Sequence, residues 1–144
     1  MKLVIQRVDE GLVTVADKVV GKIGGGYVVL VGIGKNDEEK VVRAMAKKLI
    51  DLRIMADEKG KMNQSIVEVS GEILLVSQFT LYAQTAGRRP GFTQAASPDE
   101  ARKLFELFVN EIRKAGVIVQ TGQFGEYMKV TLTNDGPVTI ILES

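Results

Sequence analysis

Runs of β-branched and aliphatic residues, separated by turn-forming residues, fill the first quarter of the chain. The runs cover residues 3–5, 12–16, 19–23 and 27–33, and the separators are residues 9–11, 17–18 and 24–26. This spacing, with Gly and Asp between the runs, is typical of an antiparallel meander. The triple glycine therefore predicts a hairpin turn. A phosphate-binding loop is disfavoured because neither a Lys-Ser/Thr ending nor a helix follows the glycines.

Two later segments, residues 36–53 and 97–115, have the apolar periodicity of amphipathic α-helices. Both are flanked by residues typical of helix ends: Asn36 and Glu39 at the first start, Ser97, Pro98 and Glu100 at the second, and Gly116 after it. We predict a helix in each segment, with its charged residues on a solvated face.

The remaining apolar runs are short and predict further strands. Residues 73–76 form an unbroken aliphatic run, which predicts a strand over 72–79 that is buried on both faces. Later strands are predicted over residues 117–119, 127–132 and 138–142, with a hairpin at 133–137. The pattern predicts an α/β fold of the α+β type, with mainly antiparallel sheets and two main helices. No repeat or linker divides it, so we predict a single domain over residues 1–144.

The chain contains no cysteine and no histidine, which excludes several kinds of site. Disulfides, the usual zinc sites, a Ser-His-Asp triad and a histidine general base all lack their residues. We therefore expect no metal and no cofactor, and proton chemistry must come from other groups or from the substrate. The net charge of +1 argues against a large basic face on nucleic acid, although a small footprint on an RNA end stays possible.

No targeting or membrane segment is evident. The longest charge-free apolar stretch near the N-terminus, residues 23–34, is too short to span a bilayer and holds five glycines. We expect a cytoplasmic protein with no membrane partner.

A polar cluster follows the predicted strand 72–79. Ser77, Gln78 and Thr80 lie in a window, residues 73–98, that has no acidic residue but contains Arg88 and Arg89. A rigid strand end beside an adaptable loop is a common place for a functional site. An ordinary polar loop that follows a strand would have the same composition. The two arginines suit either phosphate contacts or a solvated loop.

Local rules leave the other candidates open. Gly136-Pro137 follows Asn134 and Asp135, and this combination is typical of an ordinary tight turn, though proline also makes a cis peptide possible. Met128 lies in an alternating strand and fits core packing as well as ligand contact.

Several of these segments together resemble one family, the D-aminoacyl-tRNA deacylases. The resemblance covers the whole chain and rests on the motifs at residues 4–8 (VIQRV), 61–63 (KMN), 77–81 (SQFTL) and 134–139 (NDGPVT), with support from 88–90 and 121–124. The chain departs from the family pattern at Gly91 and at Glu126-Tyr127, which affects loop and adenosine contacts rather than the main motifs.

The resemblance implies a homodimer with its active site at the subunit interface. A cis Gly136-Pro137 peptide would enter the pocket of the other subunit, where its carbonyl oxygens hold the substrate's amino group and exclude an L side chain. Arg7 and Met128 would belong to this substrate-binding filter. The segment Ser77, Gln78, Phe79 and Thr80 would lie against the ester and the terminal adenosine, whose 2′-hydroxyl takes part in catalysis.

For Thr80 the resemblance leaves two roles open, a nucleophile or a positioning group. We expect positioning, because a threonine nucleophile would need a base nearby and none is evident in the sequence. The resemblance thus predicts an esterase that hydrolyses D-aminoacyl-tRNA, and also glycyl-tRNA, with Arg88 and Arg89 as candidate tRNA contacts. Two alternatives remain: a non-catalytic protein that binds tRNA 3′ ends, and a structural protein that dimerises through its strands. Release of free D-amino acid from charged tRNA separates the first from both.

Overall fold

A computed structural model describes all 144 residues. Its elements, in chain order, are β1 (Lys2–Val15), β2 (Lys18–Ile23), β3 (Gly26–Gly32), α1 (Glu39–Asp51), β4 (Met55–Ala56), β5 (Met62–Gln64), β6 (Glu72–Ser77), a 3-10 helix (Phe79–Tyr82), α2 (Pro98–Lys114), β7 (Ile118–Thr121) and β8 (Lys129–Glu143). Neither α-helix has the length and apolar composition that crossing a bilayer requires.

The N-terminal strands form one long hairpin, so the predicted meander is right in its turn near residues 17–18 and wrong in the other two. β1 pairs antiparallel with β2 along its second half and with β3 along its first half. The chain reverses only at Ala16 and Asp17, which both have positive φ. It continues straight through residues 9–11 and 24–26. Gly26 instead allows β3 to pack closely against β6, because a Cβ there would lie 1.9 Å from the backbone oxygen of Glu72 on β6.

The C-terminal hairpin predicted at residues 133–137 is also wrong, because β8 is one continuous partner of β1. Pairing runs from Lys2 opposite Glu143 to Thr14 opposite Lys129, always antiparallel. Between these ends, residues 135–138 have no partner of their own and bulge out of the strand opposite Arg7. The Asn-Asp-Gly-Pro sequence therefore makes the chain leave the ladder and rejoin it in the same direction. We call this segment the 135–138 bulge.

The main sheet is mixed, because the buried strand β6 runs parallel to both of its neighbours, β3 and β7. Its residues 73–76 are all buried, as predicted. Pairing of β1 with β2, β3 and β8 is antiparallel. With α1 and α2 as the two main helices, the predicted single α+β architecture is confirmed.

The core lies on both faces of the sheet. The larger cluster packs α1 and α2 against β1, β3 and β6, with Phe108 and Leu49 fully buried between them. The smaller cluster, on the other side, joins Val8, Val13 and Leu74, and Met128 packs partly against it. Burial of aliphatic side chains on both faces explains why β6 reads as a continuous apolar run.

The two helices begin differently from one another. α2 starts at Pro98 with Ser97 as its N-cap residue, as predicted, although the Ser97 hydroxyl donates to Glu100 at 2.7 Å rather than capping the backbone. α1 starts at Glu39, and the expected cap at Asn36 is wrong. The neighbouring Asp37 holds the chain there instead, because its carboxylate accepts a hydrogen bond from the Gly34 N–H at 2.6 Å.

Candidate active site

The chain turns sharply from the end of β6 into the 3-10 helix, and the polar cluster of Ser77, Gln78 and Thr80 lies at this turn. The Gln78 N–H donates to the Val31 carbonyl at 2.8 Å, which ties the start of this turn to the end of β3. Gly32, the last residue of β3, leaves room for the turn: a Cβ there would lie 2.9 Å from Leu81 Cβ. The Phe79 ring stacks edge-on against Phe92 with centroids 5.0 Å apart. The segment 77–82 is therefore held in place by β3.

A mainly apolar cavity of about 300 Å³ opens beside this turn. We call it the β6 cavity. Its walls come from the ends of β3 and β6, the first turn of α2 and the loop before β8: Val31, Ile33, Val76, Ser77, Gln78, Phe79, Ala101, Phe124, Gly125, Glu126, Tyr127 and Met128. A cavity of this size and lining suits a flat ring, with a few polar groups to orient it.

The structure brings four of the predicted site residues together in the β6 cavity: Ser77, Gln78, Phe79 and Met128. Thr80 does not line it. The Thr80 hydroxyl oxygen accepts a hydrogen bond from the Gln78 side-chain amide, and no carboxylate or amine is hydrogen-bonded to it. The side chain thus lacks a partner that could remove its proton.

The other predicted residues form a separate group at the 135–138 bulge. The Gly136-Pro137 peptide is cis and both residues are exposed. Arg7, only 8% exposed, lies beneath them. Its Nε is 2.8 Å from an Asp135 carboxylate oxygen, but the N–H does not point at that oxygen, so the contact is an ion pair rather than a hydrogen bond. None of these residues lines the β6 cavity of the same chain.

Arg7 is fixed from the protein interior as well. Its Nη1 donates to the Ile54 carbonyl at 2.7 Å. Tyr27, its partner across the β1–β3 pair, is fully buried. Burial raises the pKa of Tyr27 to about 12, and the positive charge of Arg7 offsets part of that rise. The guanidinium is therefore a rigid support for the bulge, held between Ile54 and Asp135.

Arg88 and Arg89 lie in the exposed loop before α2 and line neither the β6 cavity nor the bulge. The site prediction missed Ala101 in the cavity wall. Phe124 was noted only as part of the family motif at 121–124, and Tyr127 only as a departure from the family pattern. Tyr127 is 86% exposed, which is unusual for a large aromatic residue beside a cavity.

No group of three or more acidic side chains comes together to hold a metal ion.

Comparisons with known proteins give a consistent result. The family model described as D-Tyr-tRNA(Tyr) deacylase matches residues 4–143. A D-aminoacyl-tRNA deacylase of Roseiflexus sp. (strain RS-1) is 53% identical over 145 residues, which cover all of this chain and 94% of that protein. One from Heliobacterium modesticaldum (strain ATCC 51547 / Ice1) is 56% identical over 144 residues, with 99% of this chain and 96% of that protein covered.

Solved structures agree with this fold. A c-Myc DNA Unwinding Element Binding Protein superposes with a TM-score of 0.95 at 41% identity, covering 100% of this chain and 99% of that one. A probable eukaryotic D-amino acid tRNA deacylase superposes with a TM-score of 0.85 at 22% identity, covering 98% and 97%. The second likeness shows the fold alone.

Proposed function

The chain belongs to the D-Tyr-tRNA(Tyr) deacylase family, and we propose that two copies of it combine the β6 cavity of one with the 135–138 bulge of the other into each active site. As a member of that family it is a hydrolase that removes D-amino acids from tRNA. One observation carries the two-copy proposal: the exposed Gly136-Pro137 peptide does not line the cavity of its own chain.

In this proposal the terminal adenosine of the tRNA occupies the β6 cavity. Its flat base packs among the apolar walls beside Phe79, and the ester lies over Gln78 and Thr80 at the exit of β6. An aminoacyl ester is already activated, so positioning and stabilisation of the oxyanion by backbone N–H groups are sufficient. Thr80 orients the ester. The protein offers no histidine to assist the attack on the ester, and the 2′-hydroxyl of the substrate takes part in catalysis instead.

The 135–138 bulge of the partner subunit would distinguish D-aminoacyl from L-aminoacyl substrates. Gly136 and Pro137 are exposed residues, and their backbone carbonyl oxygens would accept hydrogen bonds from the substrate's α-ammonium group and bring the backbone close to the α-carbon. An L side chain would collide with this backbone, whereas a D side chain points to solvent. Glycine has no side chain to exclude, so glycyl-tRNA is a further proposed substrate. Because translation supplies these substrates, we place the enzyme in the cytoplasm.

The free edge of β8 supports association with a second copy. β8 pairs only with β1, so its other edge has unpaired backbone groups along its length. Ile141 is 64% exposed and Val130 is 37% exposed on this strand. An open, partly apolar edge strand tends to pair with another chain, and the second copy would cover it.

Subunit complementation tests the shared site. Gly136→Ala damages only the bulge, because a Cβ there would lie 2.8 Å from Val138 Cγ2 and 3.3 Å from Arg7 Nη2, at a φ of +120°. Ala101→Trp adds bulk to the wall of the β6 cavity, next to the main core, and leaves the bulge unchanged. Each variant alone should lose hydrolysis of D-tyrosyl-tRNA. A mixed dimer, purified through two different tags, has one intact site and should show about half the wild-type activity.

A matched control is Gly60→Ala, which also changes a glycine of positive φ but has nothing within 4 Å of the new Cβ. It should leave the activity unchanged. Inactive mixed dimers, with each parent still folded by circular dichroism, would show that cavity and bulge do not meet across two chains. Binding of D-tyrosyl-tRNA by the wild type without release of D-tyrosine would instead favour the non-catalytic 3′-end binder.

A further inference from the structure

A second cavity, of about 440 Å³, lies directly beside the β6 cavity. We call it the α2 groove. It runs between one face of α2 and the loop after β7, and its walls are Arg102, Phe105, Glu106, Val109, Asn110, Arg113, Thr121, Gly122, Gln123 and Phe124. Phe124 is a wall of both cavities. A linear molecule that leaves the β6 cavity past Phe124 therefore enters the α2 groove.

The α2 groove carries two cations that no carboxylate neutralises. Arg102 and Arg113 are exposed, and neither forms an ion pair, whereas Arg43 and Arg53 elsewhere do. They are eleven positions apart on the same face of α2, which at 1.5 Å per residue separates them by about 16 Å. One carboxylate, that of Glu106, lies in the groove between them.

Both arginines are held in position. The Arg113 guanidinium donates to the Val119 carbonyl at 3.1 Å. The Arg102 guanidinium lies over the Phe124 ring, 4.8 Å from its centroid. Amide side chains of Asn110 and Gln123 add hydrogen-bond donors between them. A positively charged groove with an aromatic side chain is what proteins use to bind single-stranded nucleic acid.

We propose that the α2 groove binds the phosphate backbone of the unpaired nucleotides that precede the terminal adenosine of the tRNA. This inference rests on the proposed function, which places that adenosine in the adjoining β6 cavity. The separation of about 16 Å exceeds one nucleotide step, so the two arginines would contact two phosphates that are not adjacent along the strand. The small positive footprint agrees with the near-zero net charge, because contact is confined to the RNA end. Arg88 and Arg89 line neither cavity and have no part in this contact.

The test compares a long and a short substrate. In Arg102→Ala/Arg113→Ala, kcat/KM for D-tyrosyl-tRNA should fall about tenfold or more, through a higher KM. Hydrolysis of D-tyrosyl-adenosine, which has no preceding phosphates, should stay at the wild-type rate and shows that the variant is folded. The slope of log KM against log salt concentration should become shallower by about 1.4, since each phosphate contact to a single strand contributes about 0.7.

Matched variants sharpen the result. Lys48→Ala/Lys59→Ala removes two exposed, unpaired charges away from both cavities and should change neither substrate. Arg102→Lys/Arg113→Lys keeps the charges and should restore most of the salt slope. Glu106→Gln removes the only carboxylate of the groove and should raise kcat/KM for the tRNA a few-fold.

Three outcomes would overturn the inference. Equal losses on D-tyrosyl-tRNA and D-tyrosyl-adenosine would assign the arginines to the shape of the β6 cavity. Unchanged tRNA kinetics, or a larger effect from Arg88→Ala/Arg89→Ala, would place the phosphates elsewhere. Failure of the wild type to release D-tyrosine from either substrate would be a failure of the proposed function instead.

Discussion

At the scale of the residue, several side chains and one missing side chain determine what the site can do. Gln78 donates to Thr80, so the hydroxyl is oriented as an acceptor rather than prepared for attack. Arg7 is locked between Ile54 and Asp135, so the bulge above it is supported by a nearly immobile cation. Gly136 has no Cβ, so it can adopt a φ of +120° directly above Arg7, where a Cβ would lie 3.3 Å from Arg7 Nη2.

The hydrogen bond to Thr80 leads to a prediction about catalysis. Thr80→Ala should keep the activity on D-tyrosyl-adenosine within about tenfold of wild type, because only orientation is lost. Rapid-quench kinetics and mass spectrometry of the quenched protein provide the measurement. A loss of about 10⁴-fold, or an acyl group found on Thr80 of the wild type, would instead identify the hydroxyl as the nucleophile.

Burial of Tyr27 predicts a loss of stability in alkali. Its pKa is about 12 in the folded chain and about 10 when unfolded, so above pH 10 only the unfolded chain loses this proton. The free energy of unfolding should therefore decrease by about 1.4 kcal/mol per pH unit between pH 10 and 12 from this group. Tyr27→Phe lacks this contribution. Urea unfolding of both proteins at pH 8, 10 and 11 should show the steeper decrease in wild type; parallel curves would contradict the assignment.

At the scale of the element, the position of the 3-10 helix depends on the end of β3. The Gln78–Val31 hydrogen bond and the contact of Leu81 with Gly32 hold it from the same side. The helix carries Phe79 and Thr80, so β3, which also supplies Val31 to the cavity wall, determines where these two residues lie.

Gly32→Ala should therefore impair the site more than the fold. The new Cβ would press on Leu81 and shift the 3-10 helix, at a cost of about 1–3 kcal/mol in stability. A displacement of about 1 Å at the ester should lower kcat/KM by up to about 100-fold. Gly24→Ala, whose nearest contact would be 3.9 Å away, is the control and should be close to wild type in both assays. Equal effects of the two changes would show that β3 does not position the helix.

The helices, the buried strand, the first chain reversal and the polar residues at the exit of β6 could be predicted from local sequence. Phe79 and Met128 were assigned to the site only by the family resemblance, and the other predicted reversals were wrong. Residues 9–11, 24–26 and 133–137 all have turn composition, yet none reverses the chain. Glycine and Asn-Asp permit unusual backbone angles and close contacts, whereas the direction of the following strand depends on its distant pairing partner. For the same reason, local rules could not reveal that the bulge and the cavity are apart in one chain.

At the scale of the whole molecule, the chain has no imidazole and no thiolate to offer a metal, and its acidic residues are spread over the surface. Hydrolysis of D-tyrosyl-adenosine should therefore persist after exhaustive dialysis against EDTA. This short substrate is chosen because it does not need Mg²⁺ to fold. Activity that disappears with EDTA and returns with Zn²⁺ or Mg²⁺ would contradict the prediction.

The pairing of β1 with β8 has a consequence for how the protein is made. Lys2 lies opposite Glu143, so β1, which is synthesised first, cannot pair with β8 until the end of the chain has been synthesised. During translation the β1–β3 hairpin can form early, but one edge of β1 stays open until the ribosome has released the C-terminal segment. Closure of so long a loop is slow and leaves aggregation-prone strand edges exposed. The nascent chain should thus depend on chaperones, and it should gain its bulge, and with it any activity, only after release.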